Sequence, residues 1–471
     1  MKMLTKEKAG IALTKDRAEE IFGQLTSFTQ ADELEVLIAG GSSALTRFAN
    51  NTIHQNVAEE NYVVSVRTVI DRKTARATTN KLDKESLRRV VQSAEAITRV
   101  QQPDPDLLPV TFPFAGERPA PQRFFEQTAA LTPEDRADAV ERMVAVAKKG
   151  DLTAAGIFSS SQSAEAILNS RGLSQYYGQT SSEISITMLA ADSSGWQKAN
   201  SPDVSNLDPL ELAETAARKA RDSAGPRELA PGKYTVILEP AAVLDLVGFM
   251  FFDFGGLAVL DQRSFLTNRV GTKMFGENIS VFDDVFHPLQ SGAPFDGEGE
   301  PRQRVELIRN GVVENLVYAR ASAEKMKKSE HASKVGRVAP TGHGFPLPNE
   351  IGEIPLNIVF EAGGAQAQRS VDQMIAETQK GILVTRCWYI REVDPYEKIL
   401  TGMTRDGTFY VENGKLQYGI RNFRFNESLI HMLSNVDLMG VPVRASGEES
   451  FDMVVPPMRV RDFNFTEVTR F

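Results

Sequence analysis

The stretch that decides the fold begins at residues 233–240, KYTVILEP, and runs straight into residues 241–256, AAVLDLVGFMFFDFGG. The first piece alternates as a strand does, and the second is too long, apolar and poor in β-branched residues to be another strand, so it is read as a buried helix over 240–254. Further on, residues 295–301, FDGEGEP, form an acidic loop broken by glycines. Residues 304–320, RVELIRNGVVENLVYAR, then read as a hairpin closed at Asn310-Gly311, because an Asn-Gly pair supplies the positive φ that a type I′ turn requires. Strand, buried helix, acidic loop and hairpin in this order suit a site lying between a sheet and a covering helix.

Outward from this stretch the chain divides. At 471 residues it exceeds one hydrophobic core. Residues 1–102 read as one α+β unit, 103–123 as a proline-rich linker crossing a surface, 124–225 as a second unit, and 232–471 as a mostly antiparallel β domain, sheet or barrel-like. Each of the first two units reads as helix, four strands, helix, over 16–99 and 132–222, which makes them an internal structural repeat. In the first unit the strands are 33–40, 44–51, 52–70 and 73–80, punctuated by Gly40-Gly41, Asn50-Asn51 and Asp71-Arg72; in the second they are 154–162, 164–172, 173–192 and 194–201. Thr132-Pro133-Glu134-Asp135 is a helix start with a hydroxyl cap, a proline in the first turn and a carboxylate three residues on. Beyond Pro231-Gly232 the strands are 233–238, 304–309, 312–319, 356–361, 382–391, 408–412 and 415–426, with Asn413-Gly414 a second hairpin signal and helices only at 240–254, 370–378 and 427–434.

Composition excludes several functions. Fifty-three Lys and Arg against 62 Asp and Glu leave a net charge of −9, which repels nucleic acid and anionic bilayers. Cys387 is the single cysteine, so no intrachain disulfide forms and no Cys-rich zinc site is available. The first twenty residues hold no apolar core and are not expected to be a secretory signal. The longest apolar run, 243–260, contains Asp245 and Asp253 and is read as buried rather than membrane-spanning. The expected location is the cytoplasm.

The chemical motifs are sparse. The five histidines are scattered without the spacing that would place two imidazoles on one helix face, and neither HExxH nor HExxxH occurs,. Ser322 and Lys325 match S-x-x-K without its companion motifs, so an exposed helix start is the plainer reading. The cations at Lys325, Lys327, Lys328, Lys334 and Arg337 suit a solvated loop as well as an anion site. In the acidic loop, Asp296, Glu298 and Glu300 alternate with Gly297 and Gly299. Their carboxylates can converge on a cation, an amine or an arginine, or can simply pair with Arg302 and Arg304. In the strand TRCWYIREVDP, alternation sets Arg386, Trp388 and Ile390 on one face and Thr385, Cys387, Tyr389 and Arg391 on the other. Mixed faces of this kind suit an interface or a peptide groove. Asp296, Glu298, Arg386, Trp388 and Arg391 are therefore the candidate contacts, and no catalytic residue or metal ligand is assigned.

Taken together, FANNTIHQN with its strand, PGKYTVILEP, FDGEG followed by ELIRNGVVENLVYARASAEKM, and GILVTR with DGTFYVENGKL resemble the TldD/PmbA family, from about Glu35 to the end. The resemblance implies a bacterial or archaeal peptidase system of a zinc-bearing TldD-type subunit and a TldE (PmbA)-type subunit, with peptides or loosely folded proteins in an internal chamber; an older label for the family is modulator of DNA gyrase. Catalytic members place HExxxH on the helix after the 233–238 strand, and a cysteine before glycine near the carboxyl terminus as third ligand. Here the helix has neither histidine nor glutamate, and the late position reads RASGEES, with Ser446 before Gly447. The resemblance therefore implies a TldE-like subunit with no cofactor of its own, zinc residing in a TldD-like partner. The alternative is a stand-alone homodimer that binds peptides or a protein partner without hydrolysis.

Overall fold

The computed structural model describes residues 13–114, 118–361 and 368–469; the lysine-bearing start of the chain and the tip of the proline-rich stretch lie outside them. In the amino-terminal half, α1 (Lys15–Phe28) precedes β1 (Glu33–Ala49), β2 (Thr52–Ile70), β3 (Lys73–Thr79) and α2 (Lys84–Val100). A short α3 (Glu126–Ala129) and α4 (Pro133–Lys149) then lead into β4 (Thr153–Asn169), β5 (Ser174–Leu189), β6 (Ser194–Ser201) and α5 (Pro209–Asp222). The Thr132 capping box forms as expected, its hydroxyl accepting the Asp135 N–H while the Asp135 carboxylate takes the Thr132 N–H,.

Each unit holds three strands, not four. Gly40-Gly41 does not interrupt β1: a side chain at Gly41 would meet the Gln162 carbonyl at 2.3 Å, so glycine is there to let β4 come close, and the strand continues through it. The two units are also not separate sheets. They share one antiparallel sheet, ordered β3-β2-β1-β4-β5-β6 and joined at the β1–β4 seam. All four long helices cover one face, where Leu34, Val36, Ile38, Val64 and Val66 pack on α1 and α2, and Ala154, Phe158, Ile184 and Ile186 pack on α4 and α5. The other face carries Ile167 and Tyr177 against Phe295 of the carboxy-terminal half. Asn50-Asn51 and Asp71-Arg72 make their hairpins with both residues at positive φ. The proline-rich stretch contains neither helix nor strand in its described part, yet it does not merely cross the surface. Val110, Thr111 and Arg123 are buried, and Arg123 donates to the carbonyls of Val285 (2.6 Å), His287 (3.1 Å) and Gly292 (3.3 Å) in the other half.

The carboxy-terminal half contains β7 (Gly232–Leu238), α6 (Pro240–Phe251), α7 (Gly256–Leu260), β8 (Val281–Asp283), β9 (Val305–Arg309), β10 (Val312–Val313), α8 (Arg320–Lys327), β11 (Ile358–Phe360) and α9 (Val371–Ala376). It continues with β12 (Lys380–Asp394), β13 (Ile399–Glu412), β14 (Lys415–Gly419), β15 (Phe423–Ser428), α10 (Leu429–Ser434), β16 (Val436–Met439), β17 (Val443–Ala445), β18 (Met453–Val455) and β19 (Met458–Val468). One sheet runs β10-β9-β8-β11-β18-β17. The other runs β12-β7-β19-β15-β13, and the β12–β13 pairing closes it into a barrel. Pairing is mostly antiparallel; β7–β12 and β11–β18 are parallel. The expected strand over 312–319 stops at Val313, because the chain turns inward: Val317 donates to the Phe254 carbonyl, and the Tyr318 N–H goes to the Thr341 hydroxyl. Asn310-Gly311 and Asn413-Gly414 turn with both residues at positive φ.

Helix α6 is the centre of the larger core. Val243, Leu244, Leu246, Val247, Met250 and Phe251 are fully buried among barrel and sheet residues such as Val384, Phe360 and Val455. At about 1.5–3 kcal/mol for each buried large apolar side chain, this helix is held by packing, since its first turn has no side-chain cap,. Among the described residues no helix is long and apolar enough to cross a membrane.

Candidate functional site

The buried helix and the late Ser446-Gly447 loop, which the sequence places 200 residues apart, meet in space through Asp245. Its Oδ1 accepts the N–H groups of Glu448 (3.2 Å) and Glu449 (3.3 Å), and its Oδ2 accepts that of Cys387 (3.2 Å). A side chain at Gly447 would meet Oδ1 at 2.3 Å, which requires a glycine there. Burial pushes the Asp245 carboxyl up to about 7, against the pull of the three N–H donors,. Burial, with Asp245 and Glu449 nearby, also pushes the Cys387 thiol well above its ordinary value.

This is the place where the family resemblance locates a zinc site, and the donors present do not fit Zn²⁺. That ion takes thiolate, imidazole and carboxylate in a tetrahedral set. Here one carboxylate is occupied by backbone donors and the adjacent thiol is held protonated. Among the described residues no three His, Cys, Asp or Glu side chains gather as a metal would need.

The loop after β17 continues from this point to a cavity of about 710 Å³, to which it contributes Phe451 and Asp452. The cavity lies between the uncovered face of the amino-terminal sheet, which supplies Leu37, Val63 and Glu165, and the carboxy-terminal half, which supplies Phe295, Asp296, Arg302, His343, Phe345 and Asn357. Apolar walls with a few fixed polar groups are the usual make-up of a ligand site. His343 is buried in the wall with both ring nitrogens engaged, Nε2 with Asp283 (2.9 Å) and Nδ1 with the Thr341 hydroxyl (3.0 Å). Against the effect of burial, His343 and Arg302 hold Asp283 below the ordinary carboxylate value.

The predicted contacts do not assemble into one site. Asp296 lines the cavity, but Oδ1 accepts the N–H groups of Glu298 and Glu300 (2.9 Å each) and Oδ2 that of Gly344 (2.7 Å), so the carboxylate organises its own loop. Glu298 lies behind it and is buried, with Oε2 lacking a hydrogen bond; burial, then Asp296, raises it to about 8. The arginine beside this loop is Arg320, 3.7 Å from Glu298 and 3.3 Å from Glu300. Arg302 and Arg304 bind Asn357 (2.7 Å) and Glu361 (3.0 Å) instead. Arg386 and Trp388 do come together, at a separate small cavity: the buried Arg386 guanidinium pairs with Asp406 and lies over the rings of Trp196 (4.6 Å) and Trp388 (5.5 Å). Arg391 is exposed and stacks on Tyr389. The expected two-face alternation fails there because Tyr389 has positive φ (54°) and the register shifts between Trp388 and Arg391,. Ser322 is buried rather than at an exposed helix start, and donates to Glu353 (2.6 Å). The sequence gives no signal for Glu165 or for the Asp283–His343 pair, whose members lie 60 positions apart; the Thr341–His343 contact is local but marks no chemical motif.

The architecture is thus a helix-covered sheet docked on a β-rich domain, with a cavity between them. Profiles of the PmbA/TldA metallopeptidase family match residues 34–98 (domain 1), 126–224 (central domain) and 231–467 (C-terminal domain), and the chain belongs to this PmbA/TldD family. The protein named metalloprotease PmbA from Escherichia coli O157:H7 is 22% identical over 405 residues, 82% of each chain. Among solved structures, TldE from Thermococcus kodakarensis superposes with a TM-score of 0.83 at 19% identity, covering 96% of this chain and 100% of that one. A Thermotoga maritima protein described as a putative modulator of a DNA gyrase gives 0.83 at 20%, covering 95% and 100%. At these identities the superpositions establish the shared α+β fold.

Proposed function

We propose that this chain is a non-catalytic, TldE-like subunit that pairs in the cytoplasm with a zinc-bearing, TldD-like relative and forms part of the chamber in which peptides or unfolded segments are held. The observation that carries the reading is Asp245: it joins α6 to the Ser446-Gly447 loop by accepting two of that loop's backbone N–H groups, and to β12 by accepting that of Cys387, where a metal ligand would be expected. No zinc-bound hydroxide can be generated from these donors. The 710 Å³ cavity, open beside that loop, supports a retained binding role.

Elemental analysis of the purified chain tests the first part, with zinc far below one equivalent and no peptidase activity expected. Stoichiometric zinc together with turnover by this chain alone would overturn it. Affinity purification from the native host tests the second part. Recovery of a relative carrying HExxxH supports pairing, whereas recovery of this chain alone favours a homodimeric binding module.

A further inference from the structure

The cavity wall has one carboxylate without a partner. Glu165, on β4, lines the cavity with its side chain open to solvent and, among the described residues, makes no hydrogen bond or ion pair; partial desolvation at the wall raises its pKa and the Arg302 charge counteracts this. The other polar groups of the wall are engaged. Asp296 holds its own loop, His343 holds Asp283 and Thr341, and Asp452 accepts from Arg444 (3.0 Å) and Asn200 (2.6 Å). Arg302 uses Nη1 on Asn357, and its remaining guanidinium donors have no acceptor among the described residues. Glu165 and Arg302 thus line one cavity without closing into an ion pair.

We infer that this cavity takes the amino terminus of a peptide whose first side chain is apolar, with Glu165 holding the ammonium and Arg302 the first carbonyl oxygen. The inference rests on the peptide-chamber reading and adds to it which end of the peptide enters. The chemistry suits it: both groups line one cavity, a carboxylate takes an ammonium and a guanidinium takes a carbonyl oxygen, and the two ligand groups sit on the same residue. Charge decides between a terminus and an internal amide. With Asp296 and Asp452 engaged, Glu165 is the wall carboxylate left without a partner among the described residues, and an unpaired carboxylate favours a cation over a neutral N–H. Leu37, Val63, Phe345 and Leu356 provide the surface for the first side chain.

Calorimetric titration of the full chain with leucyl-glycyl-glycine amide and with its N-acetyl form tests this. The free amine is expected to bind roughly tenfold tighter or more, the usual worth of a charge-assisted hydrogen bond. Glu165→Gln is expected to remove that difference while leaving the acetyl peptide and the unfolding midpoint unchanged. Equal binding of both peptides by the unaltered protein would overturn the amino-terminal assignment and leave the peptide chamber standing. Binding of neither would overturn both. A difference that survives Glu165→Gln would show that another group reads the amine, and so would also overturn the assignment.

Discussion

Asp245 is one methylene shorter than the glutamate of a zinc motif and carries no imidazole neighbour, yet it is fully buried on the helix that such a motif would occupy. Its carboxyl titrates near 7 in the folded chain and near 4 when unfolded. Between those values the folded state binds the extra proton, so stability falls as pH rises from about 4 to about 7 and levels off above. A shift of this size corresponds to roughly 4 kcal/mol at most. Urea unfolding from pH 4 to 8 should show the decline, and Asp245→Asn, which cannot titrate, should flatten part of it. Other buried carboxyls contribute to the remainder of the slope, among them Glu300 and Glu298, raised to about 7 and about 8, and Asp253, Asp296, Glu353 and Glu427, also raised by burial. Arg386 gives a second test at this scale: removing its partner by Asp406→Ala leaves a buried guanidinium unpaired, and denaturant unfolding should register a loss of about 3–5 kcal/mol.

Among the elements, α6 is tightly constrained by its neighbours. A methyl group at Gly248 would meet Ser450 Oγ at 1.9 Å, so the helix lies against the 446–452 loop with no room to spare. Gly248→Ala should cost about 1–3 kcal/mol, and adding Ser450→Gly should return part of it, a coupling that a double-mutant cycle measures. The 310–311 hairpin is fixed by a different constraint. Gly311 has φ of 81°, and a side chain there would meet the Phe275 carbonyl at 2.2 Å. Gly311→Ala should therefore destabilise by more than the roughly 1 kcal/mol of left-handed backbone strain alone, read from the thermal midpoint.

At the scale of the whole molecule, the chamber exists because two halves stay docked, and Arg123 contributes to the docking through three carbonyls of the opposite half. Arg123→Ala would leave those buried acceptors without a donor, at about 1–3 kcal/mol for each one that water cannot reach. Limited proteolysis should then cut the proline-rich stretch faster, and unfolding followed by near- and far-ultraviolet circular dichroism should separate into two transitions where the unaltered chain shows one.

What the sequence by itself determined is local. Thr132 with Asp135 capped a helix, Asn310-Gly311 and Asn413-Gly414 closed hairpins, and the run after Lys233 was apolar enough to be a buried helix, because caps, turns and burial patterns act over a few residues. The absence of HExxxH was likewise legible as a missing motif. The tertiary structure alone decided that Gly41 lies mid-strand against Gln162, that the two repeats share one sheet, that Arg320 rather than Arg302 faces the acidic loop, and that Glu165 and Arg302 line one cavity. Those pairings depend on how separate elements pack, whether the residues lie about twenty positions apart, as Arg320 and Glu300 do, or more than a hundred, as Gly41 and Gln162 do, and neither periodicity nor spacing carries that information. A side chain's partners are set by packing, which the chain specifies only as a whole.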